Sequence, residues 1–139
     1  MLYRNILVAV DGSDHSRAAL EHAVALAQEQ HARLTLMTVM PPVSAAAVAG
    51  NAQVLPLQEE CWSRTLEEAV AAVPDDVGLV RLFARGKPAR EIARQISEGD
   101  YDLVVMGTHG RGRIGDAVVG SVSREVLHRS KTPVLLIHV

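Results

Sequence analysis

Gly107, Gly110 and the pair Gly120-Ser121 are the residues whose types and spacing suggest chemistry. The run Leu103-Val104-Val105-Met106 leads into Gly-Thr-His-Gly, and nine residues then separate Gly110 from Gly120. Residues without a Cβ let the backbone turn tightly and leave its N–H groups unobstructed. Successive N–H groups so arranged make a concave anion nest. Gly120-Ser121 opens a helical segment, whose first N–H groups lack intrahelical acceptors and sit at the positive end of the dipole. Ser121 and Ser123 add hydroxyl donors. Together these groups can hold a di- or triphosphate without any lysine. His109, inside the glycine loop, is either a further donor to phosphate or a solvated loop residue. A second cluster, Asp11-Gly12-Ser13, is either ordinary turn chemistry or a ligand contact at the end of a central strand.

Narrower readings of the same residues fail. Gly110 to Gly115 spells G-x-G-x-x-G, but a dinucleotide fingerprint follows the first strand of a βαβ unit and precedes a ribose-binding acid by about 20 residues. Here it follows a late strand, Asp116-Ala-Val-Val-Gly120 separates it from the next helix, and the residues twenty positions on are Pro-Val-Leu-Leu-Ile. No G-x-x-x-x-G-K-[ST] string occurs. The segment Asp11–Ser16 holds Asp, Ser and His, yet neighbours in sequence rarely converge as a triad, and helix capping accounts for them better. The histidines show no metal-ligand spacing, and H-E-x-x-H is absent. No nucleophile is paired with a positioned base, and Cys61 beside Trp62 reads as helix packing.

The elements that must position these residues follow from the apolar pattern. Continuous apolar runs at Asn5–Val10, Arg33–Val39, Val77–Phe83, Asp102–Met106 and Pro133–Val139 read as strands covered on both faces. Between them lie helical patterns at Asp14–Gln30, Pro56–Val73, Lys87–Gly99 and Ser121–Ser130. Ser13 or Asp14 caps the first of these helices, and Ser121 or Ser123 the last. The alternation predicts an α/β fold, a parallel sheet with helices on both faces and right-handed crossovers, in one domain spanning residues 1–139. Ligands bind such sheets outside the carboxyl ends of the strands, where strand order reverses; if the first strand is central with the fourth beside it, the loops after these two strands face each other. The stretch Met40–Leu55 has no convincing period or cap and reads as a loop, either disordered or a flap beside a ligand.

Composition narrows the class. With 14 basic against 16 acidic residues and a net charge of −2, the chain lacks the cationic excess of a nucleic-acid footprint. Arg111 and Arg113 are a local positive spot. One cysteine rules out an intrachain disulfide. An apolar strand begins within a few residues of Met1, and no apolar run approaches the roughly 20 residues that span a bilayer. The expectation is a cytoplasmic protein with no membrane partner.

The G-x-x-G, nine residues, G-S pattern, embedded in Val105–Gly112 and Gly120–Leu127, resembles the nucleotide-binding branch of the universal stress protein family. Ile6–Ser13 (ILVAVDGS), Gly86–Ile92 (GKPAREI) and Thr132–Val139 (TPVLLIHV) agree with it in order, so the resemblance covers essentially the whole chain. It implies a doubly wound five-stranded parallel sheet in the order 3-2-1-4-5, with ATP, or ADP or AMP, at the carboxyl ends of strands one and four. On that resemblance Gly107, Gly110, Gly120, Ser121, Val122 and Ser123 bind phosphates and ribose. Ala9, Val10 and Asp11 line the ribose and adenine side, Val39 packs against the base and Met106 floors the pocket. Asp11 would also place a hydrated Mg²⁺, and the last strand, Val134–Val139, would pair antiparallel in a homodimer. Asp116 is the departure: a carboxylate near phosphate, expected to point outward or to pair with Arg111 or Arg113. The implied function is an ATP-binding stress-response module acting on an unidentified protein partner. The alternatives are a slow Mg²⁺-dependent hydrolase using Asp11 or His109 to activate water, and a dimeric stress protein that binds no nucleotide.

Overall fold

The computed structural model describes residues 2–110 and 119–139. Arg111, Arg113 and Asp116, and the expected orientation of Asp116, lie outside the described residues. In chain order the elements are β1 (Asn5–Ala9), α1 (Asp14–Gln30), β2 (Arg33–Met40), α2 (Ala45–Gly50), α3 (Val54–Ala71), β3 (Leu79–Arg85), α4 (Pro88–Glu98), β4 (Leu103–Gly107), α5 (Ser121–Arg129) and β5 (Val134–Ile137). The five strands are parallel and ordered β3-β2-β1-β4-β5, as the resemblance implied.

Both faces of this sheet are covered, which explains why its strands read as unbroken apolar runs. Ile6 and Val8 of β1, with Leu34, Leu36, Leu103 and Val105 from neighbouring strands, pack on one side against Ala19, Ala23 and Ala27 of α1 and Leu66 of α3. Leu7, Met37, Val39, Val104 and Met106 face the other way, onto Ile92 and Ile96 of α4 and Val126 of α5. Small alanines on α1 let that helix approach the sheet closely. Ile6, Leu7, Leu34 and Leu36 are fully buried, and each such side chain contributes about 1.5–3 kcal/mol of transfer free energy.

Local signals fix the ends of the elements. Ser13 caps α1, its Oγ accepting the Ser16 N–H at 3.1 Å. Gly12 takes a φ of +82° in the turn before it, a backbone state that favours glycine. Asp102 Oδ2 accepts the N–H groups of Arg4 and Asn5 at 2.8 and 2.9 Å, tying the start of β1 to the approach of β4. β3 runs two residues later than its apolar pattern suggested. Its pairing with β2 continues to Met40 opposite Arg85, and the Arg81–Glu67 and Arg85–Glu59 ion pairs to α3 carry its polar positions.

The stretch Met40–Leu55, expected to be a loop or flap, holds the end of β2, the short helix α2 and the start of α3. Ser44 Oγ accepts the Ala47 N–H at 3.1 Å and starts α2, and α3 begins at Val54. A serine cap followed by an alanine run is a sufficient local cause. Apolar periodicity does not reveal it because α2 buries none of its residues. Among the described residues no helix is long and apolar enough to cross a membrane.

Candidate functional site

The sheet order reverses between β1 and β4, so the loops after these two strands diverge and leave a crevice at their carboxyl ends. A cavity of about 440 Å³ lies there, within the range usual for small-molecule sites. Its described wall has two characters. Met37 and Val39 of β2, Met106 of β4, Ile92 of α4 and Trp62 of α3 make an apolar side. The same cavity is also lined by Asp11, His109, Gly110 and the start of α5.

All twelve residues singled out by the motifs and by the resemblance lie on this wall. Ala9, Val10 and Asp11 come from the end of β1, Val39 from β2, and Met106, Gly107, His109 and Gly110 from β4 and the turn beyond it. Gly120, Ser121, Val122 and Ser123 form the first turn of α5. What these positions do differs in detail from the sequence reading. Neither Ser121 nor Ser123 caps α5. The cap residue is Gly120, which has no side chain to close the helix end. The N–H groups of Ser121, Val122 and Ser123 are therefore first-turn donors at a helix start on the cavity wall. The Ser123 hydroxyl is engaged elsewhere, donating to the Gly107 carbonyl at 2.8 Å in a buried position. The Gly120 N–H is likewise engaged, donating to the Thr108 carbonyl at 2.6 Å.

The glycines have separable causes. None of Gly107, Gly110 and Gly120 takes a positive φ, so tight turning does not demand them. A Cβ on Gly107 would lie 2.6 Å from His15 Cβ and 2.8 Å from the His15 carbonyl carbon, so this glycine admits the first turn of α1 against β4. A Cβ on Gly110 would fall on Asp11 Oδ2. Asp11 itself is positioned by its own turn. Its Oδ1 accepts the Ser13 N–H at 2.9 Å, and its N–H donates to Ser16 Oγ at 3.3 Å.

His109 is buried, only 5% exposed, so the solvated-loop reading does not hold. Its ring packs against those of His15 and His138, with centroids 5.3 and 6.5 Å away. Sequence spacing had suggested no histidine cluster. The three come together because α1 starts, and β4 and β5 end, at the same edge of a parallel sheet. The sequence reading also passed over Met37, Trp62, Pro41, Ile92 and Arg124. Met37 was accessible from pattern, since it lies two residues before Val39 on the same strand face. Trp62 was not, because its place on the wall depends on how α3 packs. Of the segment between β2 and α3, Pro41 reaches the cavity.

Comparisons with known proteins agree with this architecture. The model of the universal stress protein family matches residues 2–138. A universal stress protein of Thermus aquaticus is 34% identical over 98% of this chain and 99% of its own length. A universal stress protein solved in complex with cAMP is 30% identical, covers 99% of this chain and 98% of its own, and superposes with a TM-score of 0.67. The Archaeoglobus fulgidus universal stress protein in complex with dAMP is 26% identical over 99% of both chains, with a TM-score of 0.70. With the family model spanning nearly the whole sequence and the doubly wound sheet ordered as the motifs implied, this chain belongs to the universal stress protein family.

Proposed function

We propose that the chain binds an adenine nucleotide, ATP in the first place, at the carboxyl ends of β1 and β4, and works as a nucleotide-dependent binding module. One observation carries this reading: a single cavity is lined both by apolar side chains and by a helix start whose cap residue has no side chain. A flat base suits the side built from Val39, Met37 and Met106. A phosphate chain suits the N–H groups of Ser121, Val122 and Ser123 with Gly110 beside them. Asp11, on the same lining, accepts hydrogen bonds from ribose hydroxyls, a role for which a carboxylate is well matched. The dAMP and cAMP complexes of two relatives support the choice of adenine.

Asp11 is the one acidic side chain on the described wall. Mg²⁺ commonly takes one or two carboxylates and completes its shell with phosphate oxygens and water, so the residues present fit a Mg²⁺ carried in with the nucleotide. It would supply charge neutralisation for the phosphates beside Asp11.

The outer edge of β5 has no partner strand within the described chain, and Leu135 and Val139 are 36% and 66% exposed. An open apolar edge invites strand addition, which supports a homodimer joined by antiparallel pairing of Val134–Val139. Thermal melting with and without nucleotide tests the binding proposal. A ligand at 100 times its Kd adds about 2.7 kcal/mol to the folded state, a rise of roughly 5–10 °C for a chain of this size. Absence of a shift with ATP, ADP and AMP alike would sink the reading.

A further inference from the structure

We infer that His15, His109 and His138 form a binding site for a divalent d-block cation of zinc's class, a site that adjoins the nucleotide cavity and shares His109 with its wall. His15 stands in the first turn of α1, His109 two residues past β4 and His138 just after β5. One potential ligand nitrogen of each lies within 4.8 Å of the other two, and the ring centroids are 5.3, 5.7 and 6.5 Å apart. Three points so spaced fall within about 2.8 Å of a common centre, against zinc–nitrogen bonds of about 2.0–2.1 Å. Closure therefore needs less than about 1 Å of movement from each ring, which small side-chain rotations supply.

The donor set selects the ion. Three imidazoles suit zinc, copper and nickel, whereas magnesium and calcium take oxygen ligands. Three protein nitrogens also leave a fourth position for water or a ligand. Thr108 completes the arrangement from behind. Its buried Oγ1 lies 3.3 Å from His109 Nδ1 and 3.1 Å from His138 Nδ1. In the metal-bound form it accepts both Nδ1–H groups and turns the two Nε2 atoms to the ion, the usual outer-shell device for ligating histidines. The backbone behind Thr108 is held on two sides. Its N–H donates to the Ile137 carbonyl at 2.9 Å, and its carbonyl accepts the Gly120 N–H at 2.6 Å. Gly107 completes the scaffold by admitting His15 where a Cβ would collide with it. Burial is graded from His109 inside to an exposed His138, which gives an ion a way in.

The test uses the untagged full-length chain, stripped of metal by chelator and of nucleotide, titrated with Zn²⁺ by calorimetry and with Co²⁺ by visible absorption. One equivalent of Zn²⁺ per chain is expected, with a raised melting temperature, and tetrahedral Co²⁺ should show its intense visible bands. Outer-shell changes at metal sites cost 10–100-fold in affinity, so His138→Ala and His15→Ala should each weaken zinc binding by at least about 100-fold. His128→Ala, an exposed histidine in the last turn of α5, should leave it unchanged. Melting in chelator verifies that each variant folds. No stoichiometric zinc uptake by the wild type, or uptake that persists at full affinity in both His138→Ala and His15→Ala, overturns the assignment. Because nucleotide is absent throughout, either result is independent of the nucleotide proposal.

Discussion

Gly107→Ala should destabilise the fold itself, although Gly107 heads the glycine pattern that points to phosphate. The added methyl would sit 2.6 Å from His15 Cβ and 2.8 Å from its carbonyl carbon, where ordinary contacts are 3.4–4 Å. The obstacle includes backbone, so no rotamer change clears it. The first turn of α1 must instead move by about 0.8 Å to reach ordinary contact. That turn is tied down, with Ser16 Oγ donating to the Ser13 carbonyl at 3.1 Å and accepting the Asp11 N–H at 3.3 Å. Beyond it, Ala19 and Ala23 pack onto the sheet with no exposed surface. Overpacking of such a contact costs about 1–3 kcal/mol, which for a domain of this length lowers the melting temperature by roughly 3–10 °C. Calorimetric melting of metal-free, nucleotide-free protein measures it. A melting temperature within about 1 °C of wild type would show that α1 does not press on Gly107 and would refute the packing account.

Gly110→Val should behave in the opposite way. Gly110 is exposed and takes no positive φ, so the ligand-free melting point should stay within about 2 °C of wild type. The valine displaces the Asp11 carboxylate, and the ATP-induced rise in melting temperature should vanish; a retained rise would remove Gly110 and Asp11 from the site. Ser123→Ala removes the buried hydrogen bond to the Gly107 carbonyl and should cost about 1–2 kcal/mol in denaturant unfolding. Equal stability would mean that this carbonyl finds another donor. Leu135→Glu places a charge on the exposed edge of β5 and should shift the proposed homodimer to monomer in sedimentation. A dimer of unchanged strength would exclude pairing through that strand.

Much of the architecture is written locally. The bounds of α1, Asp14 to Gln30, follow from a serine cap and apolar residues at helical spacing, interactions that reach no more than one turn along the chain. Unbroken runs such as Ile6–Val8 declare a sheet covered on both sides, because alternation is needed only where one face meets water. The edge that carries the cavity was readable for a related reason: in a parallel sheet every strand delivers its following loop to the same edge, whereas the adjacency of β1 and β4 and positions such as Val39 and Met106 came from the family resemblance. Tertiary structure decided what the bare residue types leave open. A glycine in sequence records only a missing Cβ; whether a ligand or a helix fills the space depends on what packs there, and at Gly107 it is His15. The same holds for the three histidines, which are 94 and 29 residues apart along the chain. They become neighbours because β5 lies beside β4, with Ile137 opposite Gly107, and α1 starts over that edge. Side-chain type and local spacing are short-range properties, whereas a ligand set assembled from three loops is a property of strand order.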